Sequence, residues 1–480
     1  MRLFSIRGAL ISLLAASPLA AQSPQSLTPH QQLAREIYSQ LISINTVDTV
    51  GSVTRAVDAL AARFRAAGFP DSDVKILTPP GKPTKANLIV RYHGTGGARG
   101  PKPLLLLAHL DVVAAKRSDW PRDPFRLVEQ NGFFYGRGTS DDKAMASIFA
   151  ANLLGYKQEG WKPSRDIILA LTADEESGDS NGPEWIVRDR RDLIDAAFAI
   201  NEGGGGTLGG SGMNVHPLFN SIQAAEKVYV DFTITAVNRG GHSSVPRPDN
   251  AIYELANALH RISEFTFPVA LNSTTRGFLE QSAKVEAPDI AAAMRAVLAN
   301  PNDAAAVATL SKKPELNALL RTTCVATRLA GGHAYNALPQ SASANINCRI
   351  LPTSSLEAVR STLVRVIADT GIKLTYTQQD RPRFPSAAPT IVPALLSAVT
   401  DVTHQMFGDI PVIPVMSTGA TDSHWLREAG IPSYGVSGIF SLPGETNAHG
   451  RDEKLRVKSY YDGLAFLDRL VRRLAGPVQP

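Results

Sequence analysis

Three apolar runs, each ending on a polar residue, limit what this chain can fold into more than any other feature. They are Pro103 to His109, Asp166 to Thr172 and Ala196 to Asn201. A strand covered on both faces of a sheet has no polar face to show, so it reads as an unbroken hydrophobic run and not as an alternation. Asn87 to Tyr92 reads as a further strand, while Gln31 to Ile44, Val53 to Ala67 and Lys143 to Gly155 carry helical apolar spacing. This alternation predicts an α/β catalytic domain with a mixed central sheet flanked by helices. Functional residues of such sheets lie at strand ends.

Near Ala225 the texture changes. Lys227 to Ala236 alternates like a half-exposed strand, and a helix is expected over Asn250 to Ile262. Helices rich in Ala and Leu follow over Pro288 to Leu320, then two strands around Cys324 and Cys348, a helix over Ser355 to Asp369 and a strand near Lys373 to Tyr376. This α+β block has its own hydrophobic faces. After Arg381 short strands and helices return, ending in a helix over Ser459 to Leu474. With 480 residues, too many for one compact core, the chain divides into a catalytic domain in two pieces, 22–222 and 382–480, with a second domain, 223–381, inserted.

Residues 1–21 stand apart. Arg2 and Arg7 precede an apolar stretch from Ala9 to Ala16 and then Ser17-Pro18-Leu19-Ala20-Ala21. This is the pattern of a cleavable secretory signal, cut after Ala21. A membrane anchor is the alternative, but the run is short for a bilayer, and no later segment is apolar enough to span one. The mature chain is therefore expected in a periplasmic or extracellular space. Two cysteines rule out a disulfide scaffold and a four-thiolate zinc site. If their two strands pair antiparallel about Asn336, Cys324 and Cys348 face each other and can form a disulfide in an oxidising space. Two small buried thiols are the alternative. The formal charge of +5 is scattered, and Arg188-Asp189-Arg190-Arg191 is short and contains an acid. Nucleic acid is not an expected partner.

The residues able to do chemistry gather at the strand ends. His109-Leu110-Asp111 closes the first run. Residues two apart in an extended segment share a face, so Asp111 can orient the His109 imidazole, although such a pair alone is more often structural. Gly136 to Lys143 follows, with glycines for a tight path and a helix straight after. Asp141 either caps that helix or bridges two metals. Asp174-Glu175-Glu176 closes the second run, and three adjacent carboxylates repel one another unless a cation sits among them. In an extended path Glu175 and Glu176 point in different directions, one to bind metal and one to handle protons. Glu202 closes the third run, and His449 lies near the C-terminus. Imidazoles and carboxylates without thiolate suit zinc, cobalt or manganese, and five ligands with one carboxylate shared is the complement of a two-metal site.

Together, Ala108 to Asp111, Gly136 to Lys143, Thr172 to Glu176, Glu202-Gly203, Gly241-His242-Ser243, Asn336-Ala337-Leu338-Pro339 and His449 to Glu453 form an ordered set. The set resembles the co-catalytic zinc hydrolases that include aminoacylase, glutamate carboxypeptidase, carnosine dipeptidase and succinyl-diaminopimelate desuccinylase. The resemblance runs from about Gln31 to the C-terminus, and Asn201-Glu202-Gly203 looks closer to the aminoacylase and secreted carboxypeptidase branches. It implies two zinc ions per subunit, with cobalt or manganese as alternatives. Asp141 would bridge them, with His109 and Glu202 completing one site and Glu176 and His449 the other. It further implies Glu175 as general base, Asp111 as the residue orienting His109, and a cis peptide between Asp141 and Asp142.

By the same resemblance the inserted block is a lid and dimerisation domain of a homodimer. His242 would reach the partner's active site and stabilise the oxyanion. Arg349 matches an arginine that grips a substrate carboxylate, and Asn336 a polar residue near the substrate. The chain departs from the family at Asn347, where Asp often stands two residues before that arginine; this weakens any ion pair holding Arg349. In the loop Ser417 to Asp422, which resembles a substrate-binding loop, Ala420 stands where Gly or Asn is more usual. The implied reaction is hydrolysis of the amide next to a C-terminal, free-carboxylate amino acid, by a metal-bridged hydroxide with Glu175 as base. The substrate is a small peptide, for a carboxypeptidase or dipeptidase; an N-acyl-amino-acid deacylase is the alternative. Neither a Gly-x-Ser-x-Gly elbow nor a His-Glu-x-x-His motif is present.

Overall fold

The computed structural model describes residues 26–377 and 390–476. The expected signal segment 1–21 and the expected boundary at 381/382 lie outside them. Among the described residues, a ten-stranded sheet runs through Val74–Leu77, Asn87–Tyr92, Ile167–Thr172, Leu104–His109, Phe198–Asn201, Ser433–Gly435, His216–Glu226, Gly205–Gly209 and Phe440–Ser441, with Val412–Ser417 joined to His216–Glu226. The two long apolar runs are buried on both faces by strict alternation. Leu104, Leu106 and Ala108 enter one core together with Ile167, Leu169 and Leu171. Leu105, Leu107, Ile168 and Ala170 enter the other, under Ile186 and Leu426. Helices cover both faces, which is why the runs carry no polar residue until they end.

A second sheet of four antiparallel strands has the order Thr323–Gly331, Ser341–Ile350, Val228–Val237, Ile372–Tyr376. Val228, Val230, Phe232, Ile234 and Ala236 bury one face beneath helices Ala251–Glu264 and Leu356–Ile367. The intervening Tyr229, Asp231 and Thr233 face the other way. Cys324 pairs with Cys348 in register, and the two are disulfide-bonded. The fold is therefore the expected mixed sheet flanked by helices with an inserted α+β unit.

Some elements differ from the sequence expectation. The helix expected to end at Gly155 runs over Lys143–Glu159. A Cβ on Gly155 would lie 3.0 Å from the His30 ring, so this glycine permits a close approach and does not stop the helix; Gly160, at φ +69°, does. Ser273–Ser282 is a helix that apolar spacing does not announce, capped reciprocally by Asn272 and Thr275. Among the described residues, no helix is long and apolar enough to cross a membrane.

Candidate active site

Three strands that are parallel neighbours deliver their C-terminal ends to one edge of the sheet. His109 pairs with Thr172 in register, and Leu104 with Phe198, so His109, Glu175, Glu176 and Glu202 emerge together. A small three-stranded sheet adds the remaining pieces. Lys454–Arg456 pairs antiparallel with Phe133–Tyr135, which sets the His449 loop beside the Gly136–Asp141 loop. A cleft of about 560 Å3 opens there. Asp141, Glu175, Glu176, Glu202 and His449 line one wall, and Tyr229, Asp231, Arg349 and Tyr376 of the second sheet line the other.

Asp141 sits between the two histidines. Its Oδ1 lies 3.0 Å from His109 Nε2 and its Oδ2 lies 3.0 Å from His449 Nε2. His449 Nε2 is also 2.9 Å from Glu176 Oε1, and His109 Nε2 is 3.7 Å from Glu202 Oε2. The ligand atoms of His109, Asp141 and Glu176 all lie within 4.8 Å of one another, and so do those of His109, Asp142 and Glu202. The Asp141–Asp142 peptide is cis. Asp142 is thus a buried member of the cluster that the motif reading passes over.

The set fits divalent cations. Glu202 Oε1 and Asp142 Oδ2 are buried and have no hydrogen-bond partner among the described residues. Burial raises the carboxyls of Glu202, Glu175 and Asp142, and neighbouring carboxylates raise them further. Burial alone would lower His109, but the charge of Glu202 and hydrogen bonds to Asp111 and Asp141 hold it well above the usual imidazole range. Hydrogen bonds to Asp141 and Glu176 push His449 up to about 10. Crowded anions clamped around two imidazoles are relieved by positive charge, and nitrogen and oxygen donors without thiolate suit zinc, cobalt or manganese.

The loop carrying Glu175 and Glu176 is not extended, so the condition for their divergence is not met, and both residues line the same cleft. The reason is Asp174, whose φ of +62° turns the chain. Lys85 Nζ donates to Asp174 and to Asp48, which takes the third carboxylate out of the cluster. Asp111 faces both His109 and the following loop. Its two oxygens accept the backbone N–H groups of Glu175 and Glu176 at 3.1 and 3.0 Å. His109 Nδ1 lies 3.0 Å from the Asp111 carbonyl and 3.5 Å from its carboxylate. Glu453 binds the Asp141 loop in a similar way.

On the opposite wall the Arg349 guanidinium stands 4.6 Å from the Tyr229 ring centre. Asp231 lies directly across the ladder from Asn347 and accepts from Asn347 Nδ2 at 2.9 Å, from Asn345 Nδ2 at 2.7 Å and from the Tyr229 hydroxyl. A carboxylate stands instead on the neighbouring strand, at Asp231. The polar phase of Tyr229 and Asp231 in an alternating strand was the only sequence signal for it. Gly419 and Ala420 of the 417–422 loop also line the cleft. His242 and Asn336 are exposed and adjacent, His242 on strand Gly241–His242 and Asn336 in the turn just before its partner strand Ala337–Leu338, where Ser243 N–H donates to the Asn336 carbonyl at 3.0 Å. Neither is among the cleft-lining residues.

Comparison with known proteins agrees with this geometry. Residues 105–473 match the family model described as Peptidase family M20/M25/M40. Human N-fatty-acyl-amino acid synthase/hydrolase PM20D1 is 28% identical over 386 residues, 79% of this chain and 75% of that protein. Probable carboxypeptidase S-like 2 of Dictyostelium discoideum is 28% identical over 400 residues, 81% of this chain and 74% of that protein. The M20 family metallo-carboxypeptidase Sso-CP2 from Sulfolobus solfataricus has a similar structure, with a TM-score of 0.68 at 18% identity, covering 92% of this chain and 98% of that one. With the family match spanning most of the chain, this protein belongs to peptidase family M20/M25/M40 and is a metallohydrolase of amide bonds.

Proposed function

We propose that this protein is an exported hydrolase that cleaves the amide bond next to an amino acid with a free carboxylate, as a carboxypeptidase or dipeptidase. One observation carries the reading: Arg349 and the carboxylate–imidazole cluster line opposite walls of a single cleft. A carboxylate held at the guanidinium presents the adjoining amide to that cluster. Arginine's planar fork binds a carboxylate through two parallel hydrogen bonds, which lysine does less well.

His109, Asp141 and Glu202 would hold one zinc, and Asp141, Glu176 and His449 the other. Bound there, the metals supply Lewis acidity and lower the pKa of a water. Glu175 takes the proton of the attacking water and returns it to the departing nitrogen. Without metal, burial and the nearby Glu202 raise its carboxyl above the usual range. Asp111 fixes Glu175 by its backbone N–H. Residues 26–226 and 390–476 would form the catalytic body, because strand His216–Glu226 belongs to the ten-stranded sheet and moves the expected 222/223 boundary, and 227–377 would form the lid.

His242 and Asn336 act on the site of a partner subunit, where His242 stabilises the oxyanion. Their exposure outside their own cleft supports a homodimer. So does the edge strand Thr323–Gly331, where Val325 and Leu329 are 57% and 72% exposed. The segment 1–21 and the Cys324–Cys348 disulfide support export, since disulfides persist in oxidising compartments. The name of the human relative favours a second reading, an N-acyl-amino-acid deacylase using the same carboxylate anchor.

The test is hydrolysis of dipeptides, N-acyl amino acids and their carboxamide versions by wild type and Glu175→Gln, each metal-depleted and reloaded with zinc. Metal should restore wild-type turnover of free-carboxylate substrates only, with the variant about 10²–10⁴-fold slower. Equal turnover of the carboxamides would sink the anchor, and the better substrate class separates peptidase from deacylase.

A further inference from the structure

We propose that Glu453 and Arg137 are positioning residues that hold the bridging Asp141 and His449 in register, and so set the geometry of the proposed metal pair. The inference rests on the metal-site reading above. Glu453 is fully buried, and its side chain meets five donors. Oε1 accepts from Ser140 N–H at 2.7 Å, Ser140 Oγ at 2.9 Å and Asp141 N–H at 3.2 Å. Oε2 accepts from Gly138 N–H at 3.1 Å and Arg137 Nη1 at 2.6 Å. Arg137 continues the path. Its Nη2 donates to the Gly450 carbonyl at 2.9 Å and lies 3.3 Å from the His449 carbonyl.

One buried ion pair therefore grips the backbone of Asp141 from one side and that of His449 from the other. The two loops are more than 300 residues apart in the chain. The grip leaves the Asp141 carboxylate and the His449 imidazole to face each other at 3.0 Å. The His449 loop needs such a hold for an independent reason. Asn447, His449 and Asp452 are all non-glycine residues at φ between +53° and +62°. Such conformations persist only where the surroundings over-determine them. Asp111 serves the other side of the cluster in the same manner, through the Glu175 and Glu176 N–H groups. Two buried carboxylates outside the proposed ligand set thus orient the loops that carry the ligands.

Glu453→Gln keeps the shape but replaces one acceptor by a donor among donors. Arg137→Lys removes the fork that reaches both Glu453 and the 449–450 carbonyls. Ser140→Ala deletes a single hydroxyl donor and is the mildest change. Each is titrated with zinc against a chelator, loaded with cobalt for visible absorption, and assayed at saturating metal. For Glu453→Gln and Arg137→Lys, zinc affinity should fall about 10- to 100-fold, as for other partners that orient metal ligands. The cobalt spectrum should shift, and kcat should drop while KM stays near wild type, because Arg349 is untouched. Ser140→Ala should move the same readouts less. If Glu453→Gln does not fold, the other two variants carry the test. Folded variants that melt earlier yet bind zinc as wild type does overturn the proposal and leave a purely structural ion pair. Wild type that binds no zinc overturns the functional reading itself, and the brace with it.

Discussion

Arg349→Ala tests the carboxylate anchor most directly when combined with a change in the substrate. The guanidinium is held over Tyr229, 4.6 Å from the ring centre, with Nη1 3.5 Å from the Thr418 carbonyl. A bidentate pair would add two charge-assisted hydrogen bonds, each worth about 1.5–3 kcal/mol. The cleft is open to water and its charges are partly screened, so the pair together is taken as about 1.5–3 kcal/mol. That corresponds to about 10- to 150-fold in kcat/KM. The assay compares wild type and Arg349→Ala on one dipeptide and on its C-terminal carboxamide. Wild type should prefer the acid by that factor, and the variant should lose that preference while its rate on the carboxamide stays nearly unchanged. Arg349→Lys should recover part of the loss, because an ammonium offers charge without the fork. An equal fall on both substrates would refute the argument, since Arg349 would then be supporting the cleft and not reading the carboxylate.

Other consequences are open to measurement. The disulfide closes a loop with a sequence separation of 24 residues. Its reduction, or the paired Cys324→Ala and Cys348→Ala change, should lower stability by about 3.5 kcal/mol on the chain-entropy model, read by urea unfolding; no change would place the lid's stability in its strand pairing alone. Gly182→Ala would set a Cβ 2.1 Å from Asn87 Oδ1 and 2.9 Å from Thr172 Cβ. It should cost about 1–3 kcal/mol as over-packing and lower kcat by shifting the Glu175 loop, checked by thermal melting and turnover. Burial alone would raise the Asp166 carboxyl, but the Gly94 N–H, Arg91 and His93 outweigh it and hold it below the usual carboxylate range. A depressed folded-state value stabilises above the unfolded value, about 3.9, and that contribution is lost as pH falls through the lower folded one. The melting gap between wild type and Asp166→Asn should therefore be full at neutral pH and close in strong acid; a gap that persisted there would assign the effect to packing.

The strand-end residues of the cleft were legible because their signal is local. An apolar run announces a buried strand, and the polar residue that ends it announces the sheet edge, so His109, Glu175, Glu176 and Glu202 could be named without knowing how the strands pair. The disulfide was half legible: equal spacing about Asn336 allowed it, and only the observed register of Cys324 with Cys348 decided it. What supports the cluster was not legible. Nothing near Asn347 says that Asp231 faces it across the ladder, nothing near Asp174 says that Lys85 will take its charge, and nothing near Asp141 says that Glu453 will accept its N–H. Hydropathy along the chain fixed which segments are buried and where they end, since that depends on neighbouring residues alone. Which donor meets which acceptor was decided only by tertiary structure, because register and packing bring together groups that lie tens to hundreds of residues apart.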